Sequence, residues 1–277
     1  MKLVKHPGPV RATRCDLVPC AGHEIEVTLA ADIPLMQSVE QALSPLGIDG
    51  AWLECADAPV STLSYVGPVI DSGQERAAWY SATRQFEQGR IERIGMMVGQ
   101  HEGAFFLHGH GLWGPTEGPL LAGHILAGET RLSKPVTAKG LAIDGAMFDR
   151  RPDAETKFDL FHAVETTPSQ GDLAALRLMP NQDVTTAIDN ACMSLGWDSA
   201  QVYGLGSLNG VTLEGGAGLS PQPTEFLIEK AAAGTSALPP EIIIVGLEGT
   251  PIQKGRLVRG ENAVLITAEL ILRRTQH

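Results

Sequence analysis

The period of apolar and polar positions changes several times along this 277-residue chain, and each change marks an element. Residues 24–29 alternate as a half-buried strand does. After Asp32 and Pro34, the residues Leu35, Val39, Ala42, Leu43 and Leu46 recur at helical spacing until Gly47, with proline in the first turn and glycine past the end. Ile48–Cys55 reads as the next strand. The same series returns further on: a strand over Ala175–Leu178, Asp183 as N-cap, a helix face of Val184, Ile188, Ala191, Cys192 and Leu195, and a stop at Gly196. A constant shift of 149 residues carries Ala42 to Ala191, Leu46 to Leu195, Gly47 to Gly196, Asp49 to Asp198 and Ala51 to Ala200. An internal duplication accounts for this.

Between the two series, the apolar runs Phe105–Trp113 and Pro119–His124 flank Gly114-Pro115-Thr116-Glu117-Gly118 and predict a β-hairpin with a five-residue connection. A turn centred on Thr116 sets His108 opposite His124, their Cβ atoms about 5 Å apart. His110 shares the face of His108, roughly 6 to 7 Å along the strand. Three imidazoles then converge, a set that suits zinc with its fourth position open.

The second series repeats the hairpin as Glu241–Glu248, Gly249-Thr250 and Pro251–Val258. Centring that turn puts Ile243 opposite Arg256 and aligns His108 with Ile243, His110 with Val245 and His124 with Arg256. A fold that stands with these residues does not need the histidines for structure. One metal per chain at most is expected, and a structural role for Arg256.

The remaining stretches fill in the plan. Residues 1–22 are aperiodic and read as an arm. Pro68–Glu87 is loop-rich, with Trp79 and Tyr80 as packing residues; residues 85–94 lead into a strand at Met96–Val98, another strand is expected over Thr130–Ile143, and Phe161–Glu165 closes the first domain. Pro168–Asp172 is the linker. The expected organisation is an arm (1–22), a domain with the histidines (23–166) and a domain without them (173–277).

Composition narrows the function. Hydrophobic content of 43% with 19% charged residues is that of a globular protein. No apolar run is long enough to span a bilayer, and the N-terminus lacks the apolar core of a secretory signal, so the expected compartment is the cytoplasm. Cys15, Cys20, Cys55 and Cys192 form no CxxC pair and read as reduced thiols. The net charge of −11 opposes binding to DNA, whose affinity for proteins comes largely from Lys and Arg on phosphates.

Several of these residues together resemble the PPC domain, the plant-and-prokaryote domain that in plants often follows an AT-hook. The carriers are Arg177-Leu178 with Pro180 and Asp183, Gly204-Leu205-Gly206-Ser207-Leu208, Gly89-Arg90-Ile91-Glu92, His108-Gly109-His110 with Gly123-His124-Ile125-Leu126-Ala127-Gly128, and a closing segment with Arg150, Asp153 and Thr156. They span about residues 24–277 as two copies. The resemblance implies an α+β fold: two tandem PPC-like domains, each a mostly antiparallel, barrel-like sheet with one or two flanking helices, usually assembled as a trimer. It also implies that His108, His110 and His124 are the metal position, and it brings a DNA-binding label. The AT-hook itself is absent, because Lys254–Gly260 lacks the Arg-Gly-Arg-Pro core.

The function expected is an oligomeric ligand-binding or regulatory module with one zinc per chain. The alternative is a zinc-dependent hydrolase or lyase acting on a small molecule. Arg150 and Arg151 are the candidate contacts for an anionic ligand. Glu117, Glu129 and His101 are the candidate general bases.

Overall fold

Strand β1 (Cys15–Leu29) belongs to both halves of the molecule. In the computed structural model, which describes residues 2–71, 73, 75–234 and 238–275, Ala21–Leu29 of β1 pairs within the first half, and Cys15–Cys20 pairs with the second. The expected arm is therefore shorter by eight residues, 15 to 22. Pro19 is tolerated in β1 because each stretch of the strand is paired along one edge only.

After β1 the first half runs through helix α1 (Leu35–Leu43), β2 (Ala51–Val66), β3 (Arg84–His101), β4 (Ala104–Pro115), β5 (Leu121–Ile125) and β6 (Val136–Asp144). Helix α1 buries Leu35, Val39 and Leu43, each contributing about 1.5–3 kcal/mol. Pro45 turns the last residues into a 3₁₀ turn, so Leu46 lies outside the helix and exposed rather than on its buried face. Two further strands, β7 (Ala146–Pro152) and β8 (Asp159–Glu165), form a hairpin beside β3.

The second half follows the same path: β9 (Leu173–Leu178), α2 (Val184–Leu195), β10 (Ser199–Thr212), β11 (Gly218–Lys230), β12 (Glu241–Val245), β13 (Ile252–Arg256) and β14 (Val264–Arg274). Asp183 caps α2 by accepting from Thr186 N at 2.8 Å, and Gly196 leaves it at φ 68°.

Strand neighbours run β1–β6–β2–β3–β4–β5 in one half and β9–β14–β10–β11–β12–β13 in the other, so the two halves share one topology. Each sheet curls back on itself. Strand β5 returns to β2 at Tyr65–Ile125 and Val66–His124, and a bridge from Leu213 to Leu257 does the same in the second half. The pairing is antiparallel except at Asp149–Gln100. This is the α+β, mostly antiparallel and barrel-like architecture expected. Pro168–Asp172 lies between β8 and β9.

Each half has its own core under its helix, and a third core with Trp52, Met97 and Phe148 from one half and Leu205, Leu227 and Ile271 from the other joins them. Gly95 matters at this junction: a Cβ there would lie 2.5 Å from both Leu227 and Trp52. A buried polar network adds to the join. Arg177, fully buried on β9, donates to Asp153 at 2.7 Å and to His162 at 2.9 Å, and Asp16 of β1 lies 3.6 Å away. Burial alone would raise the carboxyl of Asp153, yet the hydrogen bonds from Arg177 and Thr156 hold it at about 2. Ahead of β1, Val4 exchanges two 2.8 Å hydrogen bonds with Asn181, and Gly8 N donates to Glu155 O. The four cysteines are free thiols, and among the described residues no helix is long and apolar enough to cross a membrane.

Candidate metal centre

Strands β4 and β5 bring the three histidines together, in a register that differs from the expected one. His110, not His108, stands opposite His124, because the pairs across the hairpin centre on residue 117, one beyond the expected Thr116. The slip moves the partner by two residues, and an even slip leaves every side chain on its face. Gly123 at φ 155° lets β5 approach Val66 O, where a Cβ would lie at 2.4 Å.

The ring centroids of His108 lie 4.8 Å from those of both His110 and His124, and one ring nitrogen from each of the three falls within 4.8 Å of the others. Among the described residues this is the one group of three potential ligands so placed.

Hydrogen bonds fix which nitrogens are available. His110 Nδ1 lies 2.9 Å from Phe226 O, a carbonyl that can only accept, so Nδ1 carries the proton and Nε2 a bare lone pair. His108 Nδ1 donates to Glu269 Oε2 at 2.6 Å, so the neutral ring presents its Nε2 as well. These two Nε2 atoms face each other at 3.1 Å, a separation that a shared proton or a metal ion can bridge. A tetrahedral ion with bonds of about 2.0–2.1 Å spaces its nitrogens about 3.3 Å apart, so this edge is already at coordination length. His124 Nδ1 is buried with no hydrogen-bond partner among the described residues, and one ring nitrogen of His124 lies within 4.8 Å of the other two ligand atoms. Burial, reinforced by His108, holds His110 down at about 3, and the same causes hold His124 well below the usual imidazole range. Neutral imidazole is the form that binds metal.

Glu269 and Phe226 belong to the second half. The centre is therefore built across both halves, with ligands from β4 and β5 and the groups that orient them from β14 and β11. Sequence reasoning had missed both strands. Glu225, also on β11, is buried, with Oε1 3.9 Å from His110 Nε2 and Oε2 without a partner; burial pushes its carboxyl up to about 8.

The cluster opens into a cavity of about 490 Å³. Trp79 and Tyr80, expected as packing residues, form part of its wall, and Tyr80 meets the His124 ring edge-on at 5.4 Å. Arg150 lines it. Arg151 does not, being paired with Asp149 at the surface, and Glu117 and Glu129 are exposed on turns away from it. His101 donates to Arg150 O at 3.1 Å, outside the cavity. In the second hairpin Glu241, not Ile243, pairs with Arg256, because six residues from 246 to 251 separate β12 from β13 where a two-residue turn was expected. The expected matches of His108 to Ile243 and His110 to Val245 rested on that register and fall with it. Arg256 forms ion pairs with Glu214 and Glu241.

No family model matches the sequence, and neither does any curated protein. Among solved structures, the chain is similar to a metal-containing protein from Archaeoglobus fulgidus, with 18% identity over 52% of this chain and 95% of that one and a TM-score of 0.42. It is also similar to a plant- and prokaryote-conserved (PPC) protein from Pyrococcus horikoshii, at 17% identity over 57% of this chain and 99% of that one, TM-score 0.38. A candidate DNA-binding protein from Ralstonia eutropha JMP134 has 14% identity over 53% of this chain and 88% of that one, TM-score 0.37. Each of these neighbours spans about half of the present chain, which itself consists of two halves of one topology.

Proposed function

We propose that the chain is a metal-dependent small-molecule-binding module of PPC type, in which His108, His110 and His124 hold one zinc ion whose fourth position opens into the cavity. The observation that carries this reading is the convergence of three imidazoles, with the Nε2 atoms of His108 and His110 3.1 Å apart and one ring nitrogen of each residue within 4.8 Å of the others. Burial keeps His110 and His124 neutral at neutral pH, the form that binds metal. Three imidazoles, two of them oriented by Glu269 and a backbone carbonyl, suit zinc.

Elemental analysis of untagged protein purified without chelator, beside His124→Ala, tests the reading. About one zinc per chain, lost in the variant, is expected. Absence of metal from the unmodified protein after zinc reconstitution refutes it.

Glu225 favours a second reading, a hydrolase or lyase at the same centre. Zinc bound there would supply a Lewis acid at the open position. Glu225, beside His110 and holding its proton up to about pH 8, would give that proton to a substrate oxygen or leaving group in the cavity, and the apolar walls would exclude bulk water. Among the described residues that line the cavity no other carboxylate is so placed: Glu269 is engaged by His108 and Asp159 by Arg150. If this reading holds, Glu225→Gln keeps its zinc and loses turnover of any substrate found by screening. A variant with unchanged turnover removes Glu225 from the chemistry.

A further inference from the structure

The wall of the cavity away from the histidines is cationic and aromatic. Arg76, Arg150 and Lys157 line it against three carboxylates. Of these, Glu269 is committed to His108 Nδ1 and Thr267 Oγ1, and Glu225 faces His110. Only Asp159 answers the cations, through a 3.6 Å pair with Arg150. The Arg150 guanidinium otherwise rests on the Phe106 ring at 4.7 Å, with the rest of its fork uncommitted among the described residues. Arg76 stacks over Trp79 at 4.5 Å and Phe158 at 5.3 Å, and its Nε is buried with no hydrogen-bond partner among the described residues. Leaving a buried guanidinium N–H unmatched is costly, and a planar fork held flat on aromatic rings is the geometry that receives a carboxylate or phosphate.

We propose that the cavity takes a small organic oxyanion with a flat apolar body, its charge met by Arg76 and Arg150 and its body against Trp79, Tyr80, Phe158 and Phe161. A volume of about 490 Å³ accommodates a ligand of one or two rings. The aromatic wall would have no use for a bare inorganic ion, and a neutral ligand would leave Arg76 Nε unmatched and Arg150 with Asp159 alone. The inference deepens the metal-dependent binding reading and rests on it for the far end of the cavity only.

The test uses the full chain loaded with cobalt(II), whose visible spectrum reports the metal's surroundings, together with calorimetry on the metal-free protein. The probes are benzoate, phenyl phosphate and benzyl alcohol. Benzoate or phenyl phosphate is expected to bind and benzyl alcohol not, and whichever of the two anions binds tighter names the oxyanion. Arg150→Gln and Arg76→Gln are each expected to weaken the anion about tenfold or more, since a hydrogen bond to a charged group is lost, while Arg150→Lys, which keeps the charge without the planar fork, is expected to fall between the parent and Arg150→Gln. Cobalt stoichiometry in each variant serves as the check on folding. Equal binding of benzyl alcohol and benzoate, no anion binding, or glutamine variants that bind like the parent overturn the proposal. A chain that takes up no cobalt sinks the metal reading instead, and calorimetry on the metal-free protein then decides the anion site alone.

Discussion

Replacing Glu269 by glutamine isolates the contribution of the second half to the metal centre. Glu269 is 1% exposed; one oxygen accepts from His108 Nδ1 at 2.6 Å and the other from Thr267 Oγ1 at 3.0 Å. Glutamine has the same shape. Its carbonyl oxygen can take the His108 proton while its amide nitrogen turns to the Thr267 hydroxyl, so both contacts survive and only the negative charge is lost. A charge-assisted hydrogen bond is roughly twice as strong as a neutral one, and loss of such a ligand-orienting partner typically costs 10- to 100-fold in metal affinity, or about 1.4–2.7 kcal/mol. Competition against a chromophoric zinc chelator reads the affinity, and urea unfolding of the metal-free protein checks that the variant is intact. Should Glu269→Gln bind zinc within twofold of the parent while His124→Ala loses it, the negative charge of Glu269 does not tune the site.

Other outcomes follow from the same contacts. Arg177→Met leaves Asp153 and Asp16 without their buried cation and is expected to destabilise the fold by about 3–5 kcal/mol in urea unfolding; an unchanged midpoint would contradict a role for that network in joining the halves. Asp153, held at about 2 in the fold against about 3.9 unfolded, contributes about 2–3 kcal/mol that is complete above pH 4 and lost as pH falls towards 2, so acid unfolding of Asp153→Asn should be flatter through that window. His110 binds a proton more weakly folded than unfolded, so acid below about pH 6.5 works against both the fold and the metal, and dialysis at pH 4 should strip zinc that pH 8 retains. Light scattering is expected to report a trimer, a state supported by the resemblance noted in the sequence, and a monomer at all concentrations would refute it. With 32 acidic against 21 basic residues, a salt-dependent gel shift is expected to show no duplex binding at moderate ionic strength; a retained complex there would revive the DNA reading.

The histidine cluster was legible because a strand's side-chain period is two: the sequence placed the hairpin turn one residue early, and the even slip that resulted left His108, His110 and His124 on one face. The duplication was legible because both helices kept their boundary glycines, Gly47 and Gly196. Glu225 and Glu269 were not, since Glu225 lies 115 positions beyond His110 and Glu269 lies 161 beyond His108, and nothing local announces those contacts. A weaker signal did exist. Ala263–Leu272 is almost continuously apolar, broken only by Thr267 and Glu269, and a carboxylate inside such a run has to find a partner when the strand is buried on both faces. Trp79 and Tyr80 were misread for a different reason, as their packing partner is a cavity wall and not a core.

Because the orienting groups come from the copy that has no histidines of its own between residues 163 and 276, that copy has not been released from constraint by losing them. A map of mutational tolerance should show intolerant positions at Glu269 and around Phe226 that look unexplained when the second half is considered alone. Exchanging that half for a histidine-bearing relative would not add a second centre so much as dismantle the first.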